Sequence, residues 1–338
     1  MSEIRFNFVT GDWVIIAPER AKRPEEFVFS HKKDVLAGHV PTCPLCPGNE
    51  DSTPPETLRI GKGDGWTVRV VPNKFSVVNH ETNIVRESVG VKKFMTGAGF
   101  HEVIIDNPAH NASIATLPAP SVEDILTAYK KRFLAFYKVS YIEHVIIFKN
   151  HGTRAGTSLQ HPHSQIVGTP VIPGRLKSRI EEALRYYDDF GECLYCLILR
   201  EELRDETRII SQNDSFVSFI PYSALSPFHI WIFPRRHTAC FGSIDDRELH
   251  DLADILRDTL LRLHMGLGDP DFNYVIHSLS PQECAVKYFH WYLSIVTRVT
   301  RTAGFEIGTG MYINPSVPDS SAKFLRDVDT GSHGPSGE

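Results

Sequence analysis

Five consecutive residues, His161-Pro162-His163-Ser164-Gln165, hold the densest chemistry in the chain. Side chains of a strand repeat every second residue, so a strand here would carry His161, His163 and Gln165 on one face. That face would offer one imidazole able to ligate a metal, one able to attack, and an amide able to donate hydrogen bonds. Just upstream, FKNHGTRAGTS from Phe148 to Ser158 forms a loop with Gly152 and Gly156 whose backbone amides can face a phosphate. Loop and strand together point to phosphate chemistry. Two histidines two apart are equally at home in a metal site or a polar patch, so their spacing alone does not assign them.

A repeat separates the two roles. Cys43-Pro44-Leu45-Cys46 in the first half is matched by Cys193-Leu194-Tyr195-Cys196 in the second, and His110 by His237. HPHSQIV at 161–167 lies over HWYLSIV at 290–296 without a gap, so His161 meets His290 while His163 meets Tyr292 and Gln165 meets Ser294. A structural ligand should persist in both copies, whereas a nucleophile is needed once. Cys43, Cys46, His110 and His161, and again Cys193, Cys196, His237 and His290, are the donor set of tetrahedral zinc. Four protein ligands leave no open position for a catalytic water, so both sites read as structural. In the competing reading, His110 or His237 is a hydrogen-bonded core histidine and another group completes the site. His163 is left as the candidate nucleophile, since a phosphorylated imidazole passes its group onward readily. Gln165, with Ser158 helping from the loop, can stabilise the charge that develops; equally, Gln165 can be a strand-face amide paired with backbone.

The elements that must position these residues follow from periodicity. Strand-like runs occur at 13–17, 66–71, 100–105 and 143–148, with an amphipathic helix at 121–138 for which Ser121 and Asp124 form the capping pair. The second half repeats the order, with strands at 228–233 and 274–277 and a helix introduced by Ser243 and Asp246. This predicts an α+β fold in two related halves, residues 1–172 and 173–330, joined by a polar helix near 174–184, with a disordered tail at 331–338. A chain of 338 residues is long enough for two cores. Its net charge of −5, without a basic block, argues against nucleic acid as a partner. No apolar run has bilayer-spanning length and no leader pattern opens the sequence, which predicts a cytoplasmic protein without a membrane partner. Arg20, Lys22 and Arg23 form a cationic cluster that suits either solvent or a diphosphate.

The segments RAKRP at 20–24, CPLC at 43–46, PNKF at 72–75, FHEVIIDNPAH at 100–110 and FKNHGTRAGTSLQHPHSQ at 148–165 resemble the galactose-1-phosphate uridylyltransferase family of the histidine triad superfamily, including its ADP-glucose phosphorylase-like branch. The resemblance runs from Trp13 to about Arg326. It implies two fused histidine-triad-like halves, each an antiparallel sheet with flanking helices, usually in a homodimer. It also implies ping-pong nucleotidyl transfer through His163, with Gln165 and Ser158 on the transferred phosphoryl group. Arg20, Arg23, Asn73 and Asn150, with Gly156 in the intervening loop, would surround the nucleotide and diphosphate. The simplest reaction of this kind moves UMP from UDP-glucose to galactose 1-phosphate. The alternatives are adenylyl transfer from ADP-glucose to phosphate, a nucleotide hydrolase of the histidine triad type with water as acceptor, and a zinc-stabilised nucleotide-binding protein without turnover. Lys74-Phe75 stands where uridine-specific members often carry Asp-Phe, and the segment from Gly304 to Pro315 replaces their hexose-recognition run. Base and acceptor identity are therefore expected to lie around Lys74 and Glu306.

Overall fold

Phe272, Tyr274 and Ile276 are buried while Asn273, Val275 and His277 between them are only partly so, the period-two pattern of a strand packed on one side. Strands of this kind make up most of the structure, a computed structural model that describes residues 1–20, 23–28, 36–61, 65–80 and 83–331. In chain order they are β1 (Glu3–Asn7), β2 (Asp12–Ile16), β3 (Leu58–Ile60), β4 (Val68–Pro72), β5 (Arg86–Val89), β6 (Lys92–Met95), β7 (Phe100–Ile105), β8 (His144–His151), β9 (His163–Thr169), β10 (Ile209–Gln212), β11 (Phe216–Phe219), β12 (Ile230–Pro234), β13 (Phe272–His277), β14 (Tyr292–Thr297) and β15 (Tyr312–Asn314). Ten of them form one sheet in the order β10-β11-β12-β14-β13-β8-β9-β7-β4-β3. Every pairing in it is antiparallel. The two sets of five strands are thus not separate sheets: β13 and β8 zip them edge to edge, with Phe272 opposite His151 and Ile276 opposite Ile147. Joining the edges removes two rows of unpaired backbone groups.

Helices α1 (Ala119–Phe136) and α4 (Asp246–Leu267) cover one face of this sheet; α2 (Gly174–Phe190), α3 (Leu194–Asp205), α5 (Gly304–Thr309) and α6 (Pro318–Arg326) complete the set. Val122, Ile125, Leu126, Tyr129, Phe133 and Phe136 form the buried stripe of α1, and Leu249, Leu252, Leu256, Leu260 and Leu263 that of α4. Both stripes join the strands in the largest apolar core. The predicted caps differ from those found. α1 starts two residues before Ser121, at a Pro118 N-cap with proline in its first turn, and Asp124 instead accepts a hydrogen bond from Thr67 Oγ1 at 2.7 Å. α4 is capped by Asp245, whose carboxylate takes the Glu248 N–H in a reciprocal capping box, while Ser243 belongs to a preceding 3-10 turn.

On the other face, Tyr195, Leu199, Trp231, Phe233 and Tyr292 make a second apolar cluster, so the second half is partly roofed by α3. A third cluster, with Leu45, Trp66, Val71 and Ile105, seats the first cysteine turn against β4 and β7. β15 runs parallel to β2 in a small three-stranded sheet, which ties the segment after α5 to the N-terminal hairpin. Among the described residues, no helix is long and apolar enough to cross a membrane. Residues 332–338, most of the predicted tail, lie outside the described residues, as do Ala21 and Lys22 of the cationic cluster and the side chain of Arg20.

Candidate active site and metal clusters

β9 begins at His163, two residues later than a strand carrying both histidines would need. His161 therefore turns into the metal cluster, while His163 and Gln165 keep the shared face. The tautomer of His163 follows from its neighbour: Nδ1 lies 2.8 Å from the His161 carbonyl oxygen, which can only accept, so Nδ1 carries the hydrogen. The lone pair is then on Nε2. Burial holds the His163 pKa below its ordinary value, with the Lys149 charge a smaller push in the same direction, and the neutral ring is favoured.

Beneath this ring runs a buried polar network. Lys149 Nζ donates to Asp106 at 2.5 Å and to the His163 carbonyl at 3.0 Å. Ser164 Oγ donates to the same carboxylate at 2.9 Å, and the hydroxyls of Tyr129 and Tyr274 continue the chain. The network anchors the His163 carbonyl and the Ser164 side chain at the start of β9. Lys149→Met would leave the Asp106 charge without its buried partner, and a loss of about 3–5 kcal/mol in stability is expected. Urea unfolding measures it, and adding Asp106→Asn should recover much of the loss by removing the stranded charge.

His163 lines two adjoining cavities. One, of about 470 Å³, also contains Asn73, Lys74, Phe75, Ser158 and Gln165. The other, of about 670 Å³, contains Asn150, Arg154 and Gln160. The predicted phosphate loop is shorter than expected, because Lys149, Asn150 and His151 belong to β8. Its amides are also largely taken. Arg154 N donates to Asp271 Oδ2, Ala155 N and Thr157 N to the Gly152 carbonyl, and Gly156 N to that of Thr153. Gly152 is required here, since at φ +83 a Cβ would stand 2.0 Å from Asp271 Oδ1. The cavities are therefore served by side chains rather than by a cradle of backbone N–H groups.

Of the predicted site residues, Asn73, Asn150, Ser158, His163 and Gln165 come together. Gly156 supplies a left-handed turn and Arg23 is exposed, and neither lines either cavity. Glu306 lines a third cavity in the second half and does not share one with His163 within a single chain. Sequence reasoning missed Asp106, Lys149, Ser164 and His101. Two of these had a visible signal, a charged residue ending one run of apolar strand residues and another continuing the next.

The two sets of cysteine and histidine each converge, with their ligand atoms all within 4.8 Å of one another. In the first set, Cys46 Sγ is 3.5 Å from both His110 Nδ1 and His161 Nδ1. In the second, Cys196 Sγ is 3.2 Å from His237 Nδ1 and 3.4 Å from His290 Nδ1. A tetrahedral ion with bonds of about 2.0–2.3 Å needs ligand atoms roughly 3.3–3.8 Å apart, so both sets fit one. The outer nitrogens of two of the four histidines fit as well. His161 Nε2 donates to the Asn107 carbonyl at 2.8 Å and His237 Nε2 to that of Val286 at 3.0 Å, which leaves each Nδ1 lone pair for the ion. In the second cluster the hydrogen bond between the two cysteines pushes the Cys193 thiol down and that of Cys196 up, so without an ion the pair shares one proton.

Residues 1–173 match the family model described as galactose-1-phosphate uridyl transferase, N-terminal domain, and residues 98–327 match a domain of unknown function, DUF4921. An ADP-glucose phosphorylase of Arabidopsis thaliana is 37% identical over 332 residues, 96% of this chain and 93% of its own. A galactose-1-phosphate uridylyltransferase of Thermotoga maritima is 24% identical, covering 97% of this chain and 99% of its own. The crystal structure of an Arabidopsis thaliana ADP-glucose phosphorylase with bound ADP-glucose superposes with a TM-score of 0.81 at 33% identity, over 97% of this chain and 100% of that one. Fold, site and relatives together define the class, a nucleotidyltransferase of α+β build. More narrowly, the chain belongs to the galactose-1-phosphate uridylyltransferase family.

Proposed function

We propose that the chain moves a nucleoside monophosphate from a nucleotide sugar to His163 and then to a phosphate-bearing acceptor. His163 Nε2 attacks the α-phosphorus, forming a P–N bond as the bond to the bridging oxygen breaks, and the sugar 1-phosphate leaves. An oxygen of the second phosphate then attacks the same phosphorus and releases the imidazole, which gives ping-pong kinetics. The observation that carries this reading is the His163 ring itself, with Nδ1 committed to a carbonyl and Nε2 free beside two cavities. Gln165 and Ser158 donate to the non-bridging oxygens, and Asn73 and Asn150 hold the remainder of the donor. Arg20 and Arg23 belong to this reading on the family resemblance alone. Zinc occupies both Cys/His clusters, each closed by four protein ligands and therefore structural. The six cysteines are unbridged, which suits a reducing, cytoplasmic compartment. The homodimer implied by the resemblance completes the reading, and light scattering reads it directly.

Uridylyl transfer from UDP-glucose to galactose 1-phosphate is the reading that the family as a whole supports. One observation favours the adenylyl alternative, with ADP-glucose as donor and phosphate as acceptor: the phosphorylase relative is the more similar of the two, at 37% against 24% identity. Incubation with UDP-glucose or ADP-glucose labelled at the α-phosphate should leave an acid-labile label on the protein. Chasing with galactose 1-phosphate, phosphate or water then names the acceptor. A protein that takes no label from either donor would contradict the reading.

A further inference from the structure

His101 is buried, and none of the chemistry above uses it. It lies on β7 two residues before Val103, which is paired with Gln165 of β9, so it reaches Gln165 along the diagonal of the shared sheet face. Its two ring nitrogens meet different partners. Nδ1 is 3.3 Å from the backbone nitrogen of Val77, and an N–H can only donate. Nδ1 must accept, which in a neutral imidazole puts the hydrogen on Nε2. Burial favours the neutral ring, and a protonated ring would turn an N–H toward the Val77 N–H. Nε2 in turn is 2.9 Å from Gln165 Oε1.

A glutamine amide can present either end after a half-turn of its last torsion, and the two ends are opposite in hydrogen-bond sense. With Oε1 engaged by the His101 N–H, the NH₂ group is left for the cavity that His163 lines. The flipped amide would set a carbonyl oxygen against the oxygens of a phosphate and repel them. Asn73 lies alongside: its Oδ1 accepts the Phe75 N–H at 2.9 Å, and its Nδ2 stands 3.0 Å from the same His101 nitrogen. That nitrogen already carries a hydrogen, so the Asn73 contact is not a second hydrogen bond and the His101 N–H goes to Gln165 Oε1.

We propose that His101 is a positioning residue, whose Nε2–H locks the Gln165 amide with its donors toward the phosphoryl group in transfer. The inference rests on the reading that Gln165 contacts that group. Deleting one such donor typically costs about 10²–10³ in rate, and an amide that settles in the flipped orientation once the lock is gone should cost somewhat less, about 10- to 100-fold. The test measures single-turnover labelling by the α-labelled donor together with its KM for wild type, His101→Ala, Gln165→Ala and the double variant. His101→Ala should slow labelling by that factor, with KM changed less than about threefold. The double variant should be no slower than Gln165→Ala alone, and His101→Gln, which keeps an N–H donor, should restore part of the rate. His101→Phe fills the space without the N–H and should match the alanine variant, which separates the hydrogen bond from packing. Wild-type labelling rates in His101→Ala, or costs that multiply in the double variant, would overturn the proposal. Absence of label in the wild-type protein would instead remove the reading on which it rests.

Discussion

His163→Asn is expected to lower nucleotidyl transfer by roughly 10⁴ to 10⁶, the range typical for removal of a covalent nucleophile, while fold and metal content stay as they are. Asparagine can still donate to the His161 carbonyl that now receives Nδ1–H, so the start of β9 loses little. What it lacks is the lone pair that Nε2 offers. The network below the ring, from Lys149 through Asp106 and Ser164 to Tyr129, binds the His163 carbonyl and the Ser164 hydroxyl rather than the His163 ring, so it survives the substitution. Steady-state turnover with each donor, circular dichroism and metal analysis together check this. A variant keeping more than about one per cent of activity would point to direct transfer between substrates, without a protein intermediate.

His161→Asn should do the reverse. The first cluster joins three distant pieces of chain: the turn at Cys43 and Cys46, His110 after β7, and His161 before β9. The proposed zinc is their common anchor, and structural zinc is worth about 10 kcal/mol or more in small sites, comparable to the whole stability of a domain. Loss of this ligand is expected to remove about one zinc per chain, unseat the Leu45 and Trp66 cluster and lower the thermal midpoint by 10 °C or more, with activity falling as a consequence. Atomic emission and thermal denaturation measure both effects. Equal zinc loss in His161→Asn and His163→Asn would contradict the division of roles between them.

How much of this could be read from sequence follows from how local each signal is. HPHSQIV over HWYLSIV set His161, which joins the cysteines, apart from His163, which lines the cavities, because both copies occupy the same place in their strands, His163 opening β9 and Tyr292 opening β14. The Cys/His sets were legible for the same reason, since a repeated order of donors needs no knowledge of the path between them. Caps were less so: Ser121 and Ser243 have the right side chains, but Pro118 and Asp245 won on backbone geometry a few residues away. Long-range partners left no trace in the sequence. The Arg154 N–H is satisfied by Asp271, more than a hundred residues on, and His101 meets Gln165 only because β7 and β9 pair in one particular register. Glu306 was expected near the chemistry, but the parallel pairing of β15 with β2 carries its segment to a separate cavity.

The central claim is that His163 takes the nucleotidyl group covalently. Intact mass measurement of the protein mixed with UDP-glucose or ADP-glucose, without acceptor, tests it most directly. The account predicts a mass increase of one nucleotidyl group per chain, mapped by peptide sequencing to His163, reversed by the acceptor and absent in His163→Asn. An unmodified protein that nevertheless turns over both substrates, or an adduct on any other residue, would contradict it.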